Sequence, residues 1–120
     1  MTIELWKFPV APTALIRSPR FATLPKRQCA IYLEFEDVTT ITLLFEGVEA
    51  FKCTYLTFCT AEMFNTAYGK VVQLGTTAWL TDVQGVGTNS PRGQKDLKHL
   101  MICFDDGPCY EFICAGFRIS

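Results

Sequence analysis

Leu97-Lys98-His99-Leu100-Met101-Ile102-Cys103-Phe104-Asp105-Asp106-Gly107-Pro108-Cys109-Tyr110-Glu111-Phe112-Ile113-Cys114 reads as two strands around a tight turn. Both runs are rich in strand-favouring residues. Asp-Gly between apolar runs is a strong hairpin signal, because a type I′ turn needs positive φ at both central positions. With Asp106 and Gly107 at the centre, Asp105 faces Pro108. The predicted register then pairs Phe104 with Cys109, Cys103 with Tyr110, Met101 with Phe112 and His99 with Cys114. One face carries Leu100, Ile102, Phe104 and Ile113. The other carries Met101, Cys103, Tyr110, Phe112 and Cys114. Both faces are largely apolar, so the hairpin belongs at the centre of a sheet, covered on both sides.

Upstream, Cys29 to Glu36 alternates, with Ile31, Leu33 and Phe35 on one side and Tyr32, Glu34 and Glu36 on the other. Thr40 to Glu46 alternates again, with Ile41, Leu43 and Phe45 inward. Val48 to Cys59 reads as one long strand. These patterns are those of half-buried antiparallel strands. The period then changes. Thr60 is a natural N-cap, Glu62 suits a first turn, and Phe64, Ala67, Tyr68, Val71 and Val72 recur at helical spacing. This predicts a helix from Thr60 to Leu74, stopped by Gly75. Thr76 or Thr77 caps a second, short helix over Ala78–Val83. Gln84 to Asp96 has the composition of a loop.

The chain is thus expected to be α+β in class. The sheet is mainly antiparallel, with about five strands in the order β-β-β-α-α-β-β. One longer and one short helix pack on one side of it, and a short strand is expected at Ile3–Leu5. Its 120 residues suit a single domain: an extended arm over 1–28 and a body over 29–120. The arm holds Lys7, Arg17, Arg20, Lys26 and Arg27, and no acidic residue lies between Leu5 and Leu33. Pro9, Pro12, Pro19 and Pro25 exclude a long helix or a central strand there. These five cations, with Asp105 and Asp106 at the hairpin tip, are the candidate partner contacts. The simpler reading has the arm neutralising its own acidic body. No zinc finger, helix-turn-helix or ribonucleoprotein motif accompanies the cations, which argues against nucleic acid.

Hydrophobic residues make up 49% of the chain and charged ones 19%, below the usual share of about 25%. Such a chain is expected to cover an apolar face with a second copy or a protein partner. No apolar run is long enough to span a bilayer, and the first residues do not form a signal peptide. The expected location is cytoplasmic. The six cysteines, Cys29, Cys53, Cys59, Cys103, Cys109 and Cys114, sit inside strand-like segments without a C-x-x-C pair. Cys53 and Cys59 would lie about 20 Å apart in one extended strand. Free thiols acting as small hydrophobes are therefore expected.

No motif carries chemistry outright. Gly85-Val86-Gly87-Thr88-Asn89-Ser90 resembles a phosphate loop but lacks the Lys-Ser/Thr of a Walker motif, although Arg92 and Lys95 could meet an anion there. His99 beside Cys114 would make a thiol–imidazole pair, but mid-sheet and crowded. Glu34, Glu36, Asp37, Asp105, Asp106 and Glu111 would bind calcium only if their turns met. No catalytic residue, metal or cofactor is assigned. The expected function is a non-enzymatic protein-binding or self-associating module, of adaptor or immunity type. The alternative is a small-molecule-binding or enzymatic domain. Its pocket would lie between the sheet and the first helix, lined by Phe64, Tyr68 and Trp79.

Overall fold

In the computed structural model, which describes residues 2–87 and 96–120, the hairpin is present as β7 (Lys98–Cys103) and β8 (Cys109–Cys114). Its register is one residue away from the predicted one. Cys103 pairs with Cys109, Ile102 with Tyr110, Met101 with Glu111, Leu100 with Phe112 and His99 with Ile113. The cause is the turn. Gly107 N–H donates to the Phe104 carbonyl (2.8 Å) and Phe104 N–H to the Pro108 carbonyl (3.3 Å). The loop is therefore Asp105-Asp106-Gly107, with Asp106 (φ 61°) and Gly107 (φ 72°) both left-handed. A third loop residue shifts every cross-strand pair, and a one-residue slip moves a whole side-chain set to the other face. Tyr110, Phe112 and Cys114 consequently join Leu100, Ile102 and Phe104, while Glu111 and Ile113 join His99, Met101 and Cys103.

The class is α+β, as the periodicities predict, but the strands form two antiparallel sheets. The five-stranded sheet runs β1 (Ile3–Lys7), β6 (Lys70–Leu74), β7, β8, β5 (Ala50–Thr54). The four-stranded sheet runs β2 (Arg20–Leu24), β3 (Gln28–Leu33), β4 (Ile41–Glu46), β9 (Gly116–Ile119). The main core lies between them. Ile31, Leu33, Leu43 and Phe45 meet Val71, Leu100, Ile102 and Phe112. Phe45 stacks on Phe112 across the gap at 3.9 Å between ring centroids. Aromatic rings of this size supply much of the apolar area that such a core removes from water.

The prolyl segment supplies an edge strand to each sheet, β1 and β2, joined through a 3-10 turn at Pro12–Ala14. Between them Phe8 is buried in the main core. The four prolines of this segment flank the two strands and interrupt neither ladder.

Two expected elements are shorter than predicted. The first helix, α1, ends at Ala67 (Ala61–Ala67), and Lys70–Leu74 becomes β6. Thr60 does cap it, its Oγ1 accepting Met63 N–H at 3.1 Å. Gly69 (φ 66°) turns the chain into the sheet. Its N–H donates to the Cys103 carbonyl and its carbonyl accepts Phe8 N–H. As a strand, β6 buries Val71 in the main core and Val72 under α1. β5 stops at Thr54 instead of running to Cys59, because its last partner is Cys109, where β8 begins. The chain then makes a 3-10 turn at Leu56–Phe58.

The second helix, α2 (Ala78–Gly87), extends past the predicted end and takes in Gly85. Thr77 caps it, with Oγ1 accepting Leu80 N–H at 3.2 Å. Residues 88–95, most of the predicted loop and of the phosphate-loop candidate with its Arg92 and Lys95, lie outside the described residues. Both helices rest on the outer face of the five-stranded sheet. α1 covers Val72, Met101, Cys103 and Cys109, and α2 places Leu80 on Leu97 and Ile113.

Candidate functional site

The chemistry-bearing side chains concentrate on that outer face and at its β5 edge. Beneath α2, His99 Nε2 meets Glu111 Oε1 at 2.8 Å, and both residues are buried. A carboxylate can only accept, so Nε2 carries a proton, and Nδ1 faces the Thr77 hydroxyl at 2.7 Å. Lys52 Nζ lies 3.8 Å from Glu111 Oε2 and 4.4 Å from the centre of the Trp79 ring. Trp79 stands edge-on to the His99 ring at 5.1 Å. Hydroxyl, imidazole and carboxylate in a row is the order a nucleophilic triad uses. Here the hydroxyl oxygen is already committed to capping α2. No described buried side-chain N or O lacks a hydrogen-bond partner. The arrangement ties α2 to the sheet. The predicted His99–Cys114 pair does not exist, since Cys114 points to the opposite face, into the main core.

Several hollows open at the surface among the described residues. One, about 480 Å³, lies between the β1 and β9 edges and includes Leu5, Trp6, Leu100, Phe117, Lys98 and Arg118. A second, about 370 Å³, is lined by Phe64, Asn65, Tyr68, Asp105 and Asp106. Two more, each about 310 Å³, sit where Arg17 and Pro19 face Asp105 and Asp106, and where Arg27 and Glu49 flank Cys29. None of the four is lined by Thr77, His99 or Glu111.

The expected pocket residues are thus divided. Phe64 and Tyr68 share the second hollow, their rings 6.2 Å apart, with the Tyr68 hydroxyl donating to Asp105 Oδ1 at 2.7 Å. That bond to a carboxylate, with burial second, raises the Tyr68 phenol above its usual pKa. Trp79 belongs to the α2 cluster instead. The expected partner-contact cations are spread out. Arg17 pairs with Glu34 at 2.8 Å, Arg27 with Glu49, and Arg20 lies over the Tyr32 ring at 5.2 Å. Lys26 (φ 63°) and Arg27 (φ 56°) make the β2–β3 turn, and Lys7 is exposed at the end of β1. Asp106 is exposed at the hairpin tip. Among the described residues, no group of three or more His, Cys, Asp or Glu is placed to hold a metal ion.

The β5 edge carries a surface that the sequence reading assigned to a strand. Phe58 is 80% exposed and Tyr55 73%, with Leu56 and Phe51 also exposed. β5 ends the five-stranded sheet, so one row of its backbone groups faces outward. All six cysteines are free. Cys53 is exposed on this strand, and Cys59 follows the 3-10 turn, its Sγ 3.4 Å from Cys109 Sγ. No helix among the described residues is long and apolar enough to cross a membrane. Compared with protein-family models, with curated proteins and with solved structures, the chain matches none.

Proposed function

We propose that this protein is a non-enzymatic binding module that self-associates by pairing its β5 edge with that of a second copy. The observation that carries the reading is the run Tyr55-Leu56-Thr57-Phe58, which leaves three large apolar side chains exposed beside an unpaired edge strand. Buried apolar area contributes roughly 25 cal/mol per Å², so covering two aromatic rings and a leucine is a substantial driving force. An exposed edge is a template for another strand, and proteins commonly guard it with an outward lysine. Here the lysine of β5, Lys52, is folded back over Trp79 towards Glu111 and leaves the edge open. Antiparallel pairing of β5 with itself about a two-fold axis makes the interface isologous and self-limiting. A net charge of −1 per chain opposes this little. Arg17 and Arg27 of the basic segment are occupied by Glu34 and Glu49 of their own chain, which favours an apolar contact over an electrostatic one.

Sedimentation velocity over a range of concentrations, at low and high salt, tests this. The expected result is a dimer that persists at 1 M salt, where the Debye length is only about 3 Å. The double substitution Tyr55→Asp/Phe58→Asp should yield a monomer that still unfolds cooperatively in urea, at a midpoint that no longer depends on protein concentration. A wild-type protein that stays monomeric at high micromolar concentration would refute the reading, as would a dimer indifferent to that substitution.

A further inference from the structure

Three thiols meet where the segment between β5 and α1 crosses the start of β8. Cys103 and Cys109 face each other in the ladder and are fully buried. Cys59 approaches from outside the sheet and is only half-buried. Its Sγ lies 3.4 Å from Cys109 Sγ, and within reach of the Thr54 (3.3 Å) and Tyr55 (3.4 Å) carbonyls. The Cys103 thiol also lies against Cys109 and contacts the Met63 carbonyl at 3.4 Å, but it is fully buried, where a peroxide cannot reach it. A disulfide needs its sulfurs at about 2.0 Å. Cys59 can make that approach because it belongs to no helix or strand and has extended backbone (φ −76°, ψ 138°). Its side chain can rotate without breaking a ladder.

We propose that Cys59 and Cys109 are an oxidisable pair that closes to an intramolecular disulfide when a peroxide reaches Cys59. The Cys59 thiolate attacks one peroxide oxygen, and the O–O bond breaks. The hydroxide released takes up the thiol's proton as water, leaving a sulfenic acid on Cys59. The Cys109 sulfur then attacks the Cys59 sulfur. The S–O bond breaks as the S–S bond forms, and the hydroxide leaves as water with the Cys109 proton. Two thiols lose two electrons and two protons, and one hydrogen peroxide becomes two waters. Burial pushes the Cys59 thiol up to about 11, and the Cys103 thiol together with burial raises Cys109 as well. Selectivity therefore comes from the short sulfur–sulfur approach and from Cys59 being the reachable member, and the first step is slow at neutral pH. The pair requires nothing of the β5 interface, so this inference stands apart from the self-association reading.

The test uses the full chain, treated with hydrogen peroxide and then alkylated under denaturing conditions. It is digested without reductant and mapped by mass spectrometry. The expected result is loss of two alkylatable thiols and a linked peptide joining Cys59 to Cys109. The link persists in Cys53→Ser and in Cys103→Ser. In Cys109→Ser, dimedone traps a sulfenic acid on Cys59. If that variant does not fold, Cys59→Ser, at a half-exposed position, must abolish the link and leave Cys109 alkylated. Six alkylated thiols after peroxide, a Cys103–Cys109 link, or oxidation confined to exposed Cys53 would each overturn the proposal.

Discussion

A methyl group on Gly107 would sit 3.1 Å from the Leu56 backbone nitrogen, and the residue's φ of 72° is one that L side chains rarely adopt. Gly107→Ala should therefore lower stability by roughly 1 kcal/mol or more, read as a fall in the urea midpoint. An unchanged midpoint would mean the turn is misplaced. Opposite in kind is the buried polar row. Glu111→Leu leaves His99 Nε2 facing no acceptor, and an unsatisfied buried donor costs about 1–3 kcal/mol. Glu111→Gln keeps an acceptor in the same place and should cost distinctly less. Urea unfolding of the two variants measures the difference, and equal costs would remove the His99–Glu111 bond from the account. The sequence holds both members of this pair on neighbouring strands, but their contact was legible only with the right register. The composition of the turn identified Gly107 as left-handed, yet gave no count of loop residues, and that count decides which side chain His99 meets.

Each element is read from a local period, and the period misleads where one segment is buried on two sides. Val71 and Val72 fit a helix stripe after Phe64 and Ala67. They equally fit a strand whose alternate residues enter different layers, and the second arrangement buries both valines completely. Gly69 decides between them. A Cβ there would come 2.6 Å from Pro12 Cγ, at a φ of 66°. Gly69→Ala would favour a continuous helix by propensity, since alanine exceeds glycine by about 1 kcal/mol. In this fold it should instead destabilise by at least that amount, through left-handed backbone and collision with the Pro12 turn. Thermal or urea denaturation gives the sign directly, and a stabilised variant would contradict the α1–β6 boundary. By contrast β3, β4 and the hairpin strands were legible because each has one clear partner on either side. The Thr60 cap was legible because it is a purely local device. The long strand to Cys59 was not, since its end is set by where β8 begins. The Tyr55–Phe58 surface was hidden by that same misreading.

At the scale of the whole molecule, the basic prolyl segment is structural as well as charged. It provides β1, β2 and the buried ring of Phe8. A chain beginning at Gln28 should consequently lose its cooperative urea transition. Retention of a sharp transition would show that the remaining strands suffice. The pairings also have a consequence for synthesis. β1 waits for β6, the centre of its sheet is β7 and β8, and β4 gains its second neighbour only with β9. While the chain is emerging from a ribosome, β2, β3 and β4 can pair among themselves as a meander. Ile31, Leu33, Leu43 and Phe45 then lack most of their opposing layer, Leu100, Ile102 and Phe112, until residues beyond 97 are made. At about 5–20 residues per second, that apolar face stays bare for several seconds. A half-made chain of this protein is a natural client for a chaperone that holds apolar surfaces, and finished chains, with the layer closed, are not.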